Sequence, residues 1–221
     1  MRRSPVVVLA VVALAVLAGA VAGRPLARSA AGGGHRLAFN ADETVRVTAV
    51  LRRGGPSFSP EVAPADRAWI LAALAAARPE ARRLIGEVDG AVTFRTGGTQ
   101  PAQAGGETIG LAESSADGFE IWLNVARLDH DRAVDRPTAV LHELGHVVDY
   151  ALVGPELGGR LDAAIAPDPN VAEERFADTF AKWALRGEVS LAGAGYQIPT
   201  PVSLEDWGAP LGALAAGLPP G

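Results

Sequence analysis

The sequence predicts an α+β fold with a small mixed sheet and several helices, and three observations carry this prediction. Short alternating or β-branched segments bounded by Gly- and Pro-rich stretches predict strands. Longer segments with apolar residues at helical spacing predict helices. The chain has 221 residues, of which 48% are hydrophobic, and this is enough for one compact domain with a sizeable core.

The first 22 residues have the composition of a secretory signal peptide. Two arginines precede an apolar run, and Ala20-Val21-Ala22 offers a small-residue cleavage site. An uncleaved signal anchor stays open as an alternative, because the apolar run is almost long enough to span a bilayer. Either interpretation places the rest of the chain outside the cytoplasm, secreted or at the cell surface. The membrane is a partner only if the segment is an uncleaved anchor.

The charge and the cysteine count exclude several kinds of partner and site. The formal net charge is -5, and a chain without its first 22 residues would have two positive charges fewer. Such a protein is poorly suited to nucleic acid or to an anionic membrane surface. Without cysteine, a metal ion would be held by histidine and carboxylate side chains. Lys182 is the only lysine among many arginines, which we interpret as a bacterial composition bias.

The rest of the chain divides into a leader at 23–40, one folded domain at 41–200 and a tail at 201–221. Within the domain, the sequence predicts strands at 44–51, 91–95, 108–112 and 119–124, and helices at 64–77 and 79–88. Loops are predicted at 54–63, 96–106 and 128–135. The tail is rich in Pro, Gly and Ala, and we expect its last dozen residues to be loose.

One predicted helix, at 137–153, contains the pattern that carries chemistry. Residues 142–146 read HELGH, an instance of H-E-x-x-H. On a helix, His142 and His146 lie on the same face about one turn apart. That spacing lets both imidazoles reach one tetrahedral zinc ion, with Glu143 beside them as the candidate general base.

A zinc site built on two histidines needs a third protein ligand, and a downstream helix supplies carboxylates. We expect that helix to begin at an N-cap, Asn170, and to end at Arg186. Glu174 and Asp178 lie on one face of it, so that Glu174 can bind the metal while Asp178 accepts a histidine N–H. Glu173 and Asp178 stay open as alternative ligands.

These two helices resemble the core of the gluzincin zinc metallopeptidases. Members of that group carry H-E-x-x-H on one helix and E-x-x-x-D/E on the next, and residues 174–178 (ERFAD) fit the second half. Residues 138–183 are most similar to the catalytic domain family of anthrax lethal factor and related secreted peptidases. The resemblance implies a zincin-like fold with a Zn²⁺ cofactor. It also implies site residues, namely His142, His146 and Glu174 as zinc ligands, Glu143 as base and Asp178 as a supporting carboxylate.

One residue of that family has no counterpart at the expected place. The toxin-like members carry a tyrosine shortly before the ligand glutamate, where it stabilises the oxyanion. Between His146 and Glu174 this chain has only Tyr150, which belongs to the first helix of the pair. Tyr196 is therefore the candidate oxyanion stabiliser.

The expected function is that of a secreted or surface-anchored endopeptidase. It would hydrolyse a peptide or protein substrate through a zinc-activated water, with Glu143 taking the proton. We expect the strand at 119–124 to lie at the sheet edge and to bind an extended peptide by strand addition. Two alternatives stay open. One is a non-catalytic module of the same fold that binds a peptide or a cell-envelope partner, although such a module has no need of Glu143. The other is a structural protein with a coincidental motif.

Overall fold

The computed structural model describes residues 54–97, 108–114, 118–130, 135–165, 174–186, 201 and 203–218. These residues form seven α-helices and a four-stranded mixed sheet, so the predicted α+β class is confirmed. The predicted signal segment, the leader, the strand at 44–51 and the N-cap at Asn170 lie outside the described residues. No helix in the described ranges combines the length and the apolar character that crossing a bilayer requires.

The elements follow one another along the chain with short connections. The strands are β1 (Ser57–Phe58), β2 (Val92–Arg95), β3 (Gly110–Ser114) and β4 (Phe119–Leu123). The helices are α1 (Pro64–Ala76), α2 (Pro79–Val88), α3 (Val125–His130), α4 (Arg136–Leu152), α5 (Pro155–Ala163), α6 (Glu174–Ala184) and α7 (Leu204–Gly217).

The sheet places β3, and not β4, at its edge. The strand order is β1-β2-β4-β3, with β1, β2 and β4 parallel and β3 antiparallel to β4. The predicted pairing of the third and fourth strands is therefore confirmed, but the predicted edge position of residues 119–124 is wrong. Within β4, Ile121 and Trp122 are both buried although they point to opposite faces. Burial on both faces is typical of an interior strand.

Helix α4 lies at the centre of the helical layer. Asp135 caps it by accepting a hydrogen bond from the backbone N–H of Thr138 at 2.8 Å, and proline occupies the first turn. The helix packs against α1, α2 and α6 on its sides and against β3 and β4. Every residue from 138 to 148 is buried, including the polar ones. Buried polar side chains need partners, and these partners define the site described below.

Four elements appear where the sequence predicts loops or loose chain. Strand β1 lies in the predicted loop at 54–63, and α3 covers part of the predicted loop at 128–135, so that His130 ends a short helix. Helix α5 replaces the predicted Gly/Pro-rich connection after Gly154, and α7 replaces the predicted loose tail. Gly, Pro and Ala lower the apparent helical signal of these segments, while packing against the core stabilises them.

Helix α7 is held against α6 by aromatic and charged contacts. The Nε1–H of Trp207 donates to the carbonyl of Leu161 at 3.2 Å, and its ring packs edge-on against Trp183 of α6. Arg78 donates to both carboxylate oxygens of Glu205, at 2.9 and 2.8 Å, and lies over the Trp183 ring. Gly208 permits this packing, because a side chain there would collide with the indole of Trp183. The C-terminal helix thus supports α6 from behind.

Candidate metal centre

Helices α4 and α6 approach each other closely at Gly145. A Cβ atom at this position would lie 2.9 Å from the Cα atom and 3.2 Å from the carbonyl oxygen of Ala177, and 3.3 Å from the Cβ atom of Phe180. The glycine at the fourth position of HELGH therefore lets the two backbones pack together. This contact brings Glu174, the first residue of α6, against the histidine face of α4.

His142, His146 and Glu174 direct one ligand atom each toward a common point. The Nε2 of His142 lies 2.8 Å from Glu174 Oε2 and 3.2 Å from the Nε2 of His146. The Nε2 of His146 lies 3.6 Å from the same oxygen. Ligands of one tetrahedral ion at about 2.0–2.1 Å are spaced about 3.3 Å apart. The three predicted ligands are together, and their spacing fits a single metal ion.

The donor set also behaves as a cation site. All three residues are buried, and Glu174 Oε1 has no hydrogen-bond partner among the described residues. Two imidazole nitrogens that face each other and a carboxylate oxygen are satisfied together by a positive charge between them. Elsewhere in the described part of the chain, no other group of His, Asp and Glu has this arrangement. Glu173, the alternative ligand, lies outside the described residues.

The electrostatics of the cluster favour positive charge. Burial lowers the pKa of His142, but the hydrogen bond and charge of Glu174, with the charges of Glu143 and Asp178, outweigh burial and raise that pKa to about 9. Burial lowers the pKa of His146, and the charge of His142 adds to this effect. Burial raises the pKa of Glu174, but the two histidines outweigh burial and lower it overall. The carboxylates thus create a field that attracts a cation.

Glu143 lies between α4 and the edge strand β3. The backbone N–H of Ala112 donates to its carboxylate, and the other oxygen, Oε2, has no partner among the described residues. A side chain at Gly110 would occupy the position of this carboxylate. Burial and the charge of Glu174 raise the pKa of Glu143 to about 8, against the opposing effects of His142 and the Ala112 N–H. A pKa near neutral pH suits a general base.

Gly110 is a site residue that the sequence analysis missed. Its signal was present, since a glycine inside a strand often marks a place where another group approaches closely. The identity of the approaching group could not be deduced, because the contact joins residues 33 positions apart in the chain. The same holds for Ala112, which contributes only its backbone N–H.

Asp178 lies beside the cluster, but its partner differs from the predicted one. Its Oδ2 lies 2.7 Å from the Nζ of Lys182, one turn further along α6. The sequence predicts a hydrogen bond from a histidine instead. The charge of Asp178 nevertheless acts on His142, since it contributes to raising the pKa of that imidazole.

Neither tyrosine named in the sequence analysis lies in the described cluster. Tyr196 lies outside the described residues. Tyr150 follows His146 by one turn of α4 and packs edge-on against Phe119 of β4, with ring centroids 5.6 Å apart. The structure therefore gives Tyr150 a packing contact with the sheet, and the oxyanion stabiliser stays unassigned.

Comparisons with protein-family models, with curated proteins and with solved structures found no match to this chain. The gluzincin resemblance therefore stays a prediction that rests on two motifs. The geometry of the cluster shows a buried group that could bind a metal ion.

Replacing Gly145 by alanine is expected to weaken metal binding. The new Cβ would press on Ala177, so α6 must move and carry Glu174 away from the histidines. We expect the dissociation constant for zinc to rise about tenfold or more, as for other changes next to a metal site. The free energy of unfolding should fall by about 1–3 kcal/mol from overpacking.

Gly86 on α2 provides the matched control for this substitution. A Cβ there meets nothing within 4 Å, so Gly86→Ala should raise stability by about 0.5–1 kcal/mol and leave zinc affinity unchanged. Competition with a chromophoric chelator measures the affinities, and urea unfolding measures the stabilities. Equal zinc affinities for the two variants would contradict the positioning role of Gly145.

Proposed function

We propose that this protein is a zinc-dependent endopeptidase of the gluzincin type with a zincin-like fold. The observation that carries the proposal is the buried cluster of His142, His146 and Glu174, with the carboxyl group of Glu143 beside it. The predicted signal segment adds an expected location outside the cytoplasm, in a bacterium.

The donor set supports zinc as the metal. Two imidazoles and one carboxylate, without any thiolate, form the ligand set of catalytic zinc in several hydrolase families. Imidazole nitrogen suits zinc better than it suits magnesium or calcium, which prefer oxygen ligands throughout. Three protein ligands leave a coordination position open, and this separates catalytic zinc sites from structural ones.

When bound, zinc supplies a Lewis acid that polarises a carbonyl and lowers the pKa of water from 15.7 to about 7. The chain itself supplies the proton transfer. Glu143 accepts a proton at Oε2, the oxygen without a partner among the described residues, while the Ala112 N–H holds the carboxylate in place. The same carboxyl group then delivers the proton to the leaving amine.

The edge strand β3 supports a peptide as the substrate. It is the outer antiparallel strand of the described sheet, and its Gly110 and Ala112 lie against Glu143. An extended peptide that pairs with β3 would pass directly beside the base and the metal cluster. We therefore assign to β3 the strand addition that the sequence analysis expected of residues 119–124.

The position of Glu143 favours catalysis over the non-catalytic alternative. Burial makes the charged form of this carboxyl group costly, as its raised pKa shows. A module that only binds a partner would be more stable with an apolar residue at this position. A buried acid close to a metal cluster, with one oxygen without a partner among the described residues, is typical of a proton-transfer group.

Metal removal tests the proposal. We expect the zinc-loaded protein to cleave members of a fluorogenic peptide library, because the base and the metal ligands lie together. Treatment with 1,10-phenanthroline should abolish cleavage, and added zinc should restore it. The non-chelating isomer 1,7-phenanthroline is the control. Cleavage that persists without metal would refute the proposal, and zinc binding without any cleavage would favour the binding module.

A further inference from the structure

We propose that Lys182 is a positioning residue that keeps Asp178 away from the metal and so leaves one coordination position open. This inference rests on the proposed zinc site. Lys182 does not touch the metal cluster; it acts through its ion pair with Asp178, whose Oδ2 lies 2.7 Å from the ammonium nitrogen.

The three charged residues involved form one stripe on α6. Glu174, Asp178 and Lys182 follow one another at intervals of four residues, so they lie on the same face of the helix. All three are buried, with 2%, 4% and 3% of their surface exposed. The stripe begins at the metal cluster and ends with the ion pair.

A buried carboxylate must be paired, and Asp178 has two kinds of positive partner within reach. One is the Lys182 ammonium, and the other is the metal site, since the charge of Asp178 already acts on His142. The structure shows the first pairing. Asp178 is not a member of the group whose ligand atoms all lie within 4.8 Å of one another.

The charge count of the buried groups agrees with this division. Glu143, Glu174 and Asp178 carry three negative charges when ionised, and Lys182 carries one positive charge. The remaining excess of two negative charges matches one divalent cation. Arg175, another buried cation of α6, donates to the carbonyl of Ile165 and does not take part in the pair.

Without Lys182, Asp178 would be an unpaired buried carboxylate one turn from Glu174. A bound cation would then be its strongest available partner. As a fourth protein ligand, Asp178 would fill the position that a catalytic zinc site keeps open, and the site would resemble a structural one. The ion pair therefore preserves the open site.

Cobalt(II), whose visible spectrum reports its ligands, and acetohydroxamate, a small metal-binding probe, test this inference in the full chain. In the wild type, acetohydroxamate should change the cobalt spectrum, because a position is open. In Lys182→Met, the concentration needed for half the change should rise about tenfold or more, while cobalt stays bound. The double variant D178N/K182M should regain the wild-type response, because the competing carboxylate is gone.

Other outcomes would overturn the inference. A wild-type response in Lys182→Met, with only a lower unfolding temperature, would show a purely structural role. A double variant that behaves like Lys182→Met would show that Asp178 is not the competing ligand. If Lys182→Met does not fold, Lys182→Gln keeps a hydrogen-bond donor without the charge and should show an intermediate response, whereas a wild-type response would refute the inference. A wild type that binds no cobalt would instead refute the proposed zinc site, and this inference with it.

Discussion

Replacing Glu143 by glutamine is expected to abolish peptide hydrolysis while zinc stays bound. Glutamine has nearly the same shape, but its amide cannot accept the proton that the carboxylate takes at Oε2. The rate of cleavage should fall by about 10²–10⁴-fold, the usual contribution of a general base. Steady-state cleavage of a fluorogenic peptide measures this loss, and metal analysis of the same sample measures zinc.

Two controls separate a lost base from a damaged fold. The unfolding temperature of Glu143→Gln should not fall, because a neutral amide replaces a buried acid whose charged form is disfavoured. Glu156→Gln changes an exposed glutamate on α5 and should leave cleavage, zinc content and stability unchanged. Cleavage by Glu143→Gln at the wild-type rate would remove Glu143 from the mechanism.

Replacing Glu174 by glutamine is expected to cost most of the zinc affinity. The substitution removes the only charged ligand of the cluster and the partner of His142 Nε2 at 2.8 Å. Loss of a ligand should weaken binding at least as much as loss of a supporting residue, so we expect about 100-fold or more. Competition with a chromophoric chelator measures the dissociation constant, and cleavage should disappear at limiting zinc.

Glu173 gives the matched control for this experiment, since it precedes Glu174 and is the ligand that the sequence alone leaves open. Glu173→Gln should bind zinc with wild-type affinity. If Glu173→Gln loses zinc and Glu174→Gln keeps it, the third ligand is Glu173 and the assignment of Glu174 is wrong.

The metal cluster could be predicted from the sequence because its parts are local. The spacing of His142 and His146 fixes a shared helix face, and the interval from Glu174 to Asp178 does the same on the second helix. Helical geometry then needs only one tertiary fact, the contact between α4 and α6, to bring the ligands together. Gly145 marks that contact in the sequence, since only a glycine permits it.

The remaining site features depend on long-range contacts and could not be predicted. The order of β3 and β4 in the sheet follows from pairing with β2, and an alternating pattern does not reveal which strand lies outside. The fit of Gly110 against Glu143 depends on that order. The pairing of Asp178 with Lys182 was available at helical spacing, but the sequence does not show that both side chains are buried.

The central claim is that His142, His146 and Glu174 hold one zinc ion. X-ray absorption at the zinc edge, on purified protein with its zinc content measured, tests this claim most directly. The account predicts one zinc per chain with nitrogen and oxygen ligands at about 2.0–2.1 Å and the outer-shell scattering of two imidazoles. Protein that retains no zinc, or zinc whose spectrum shows one imidazole or more than two, would contradict the account.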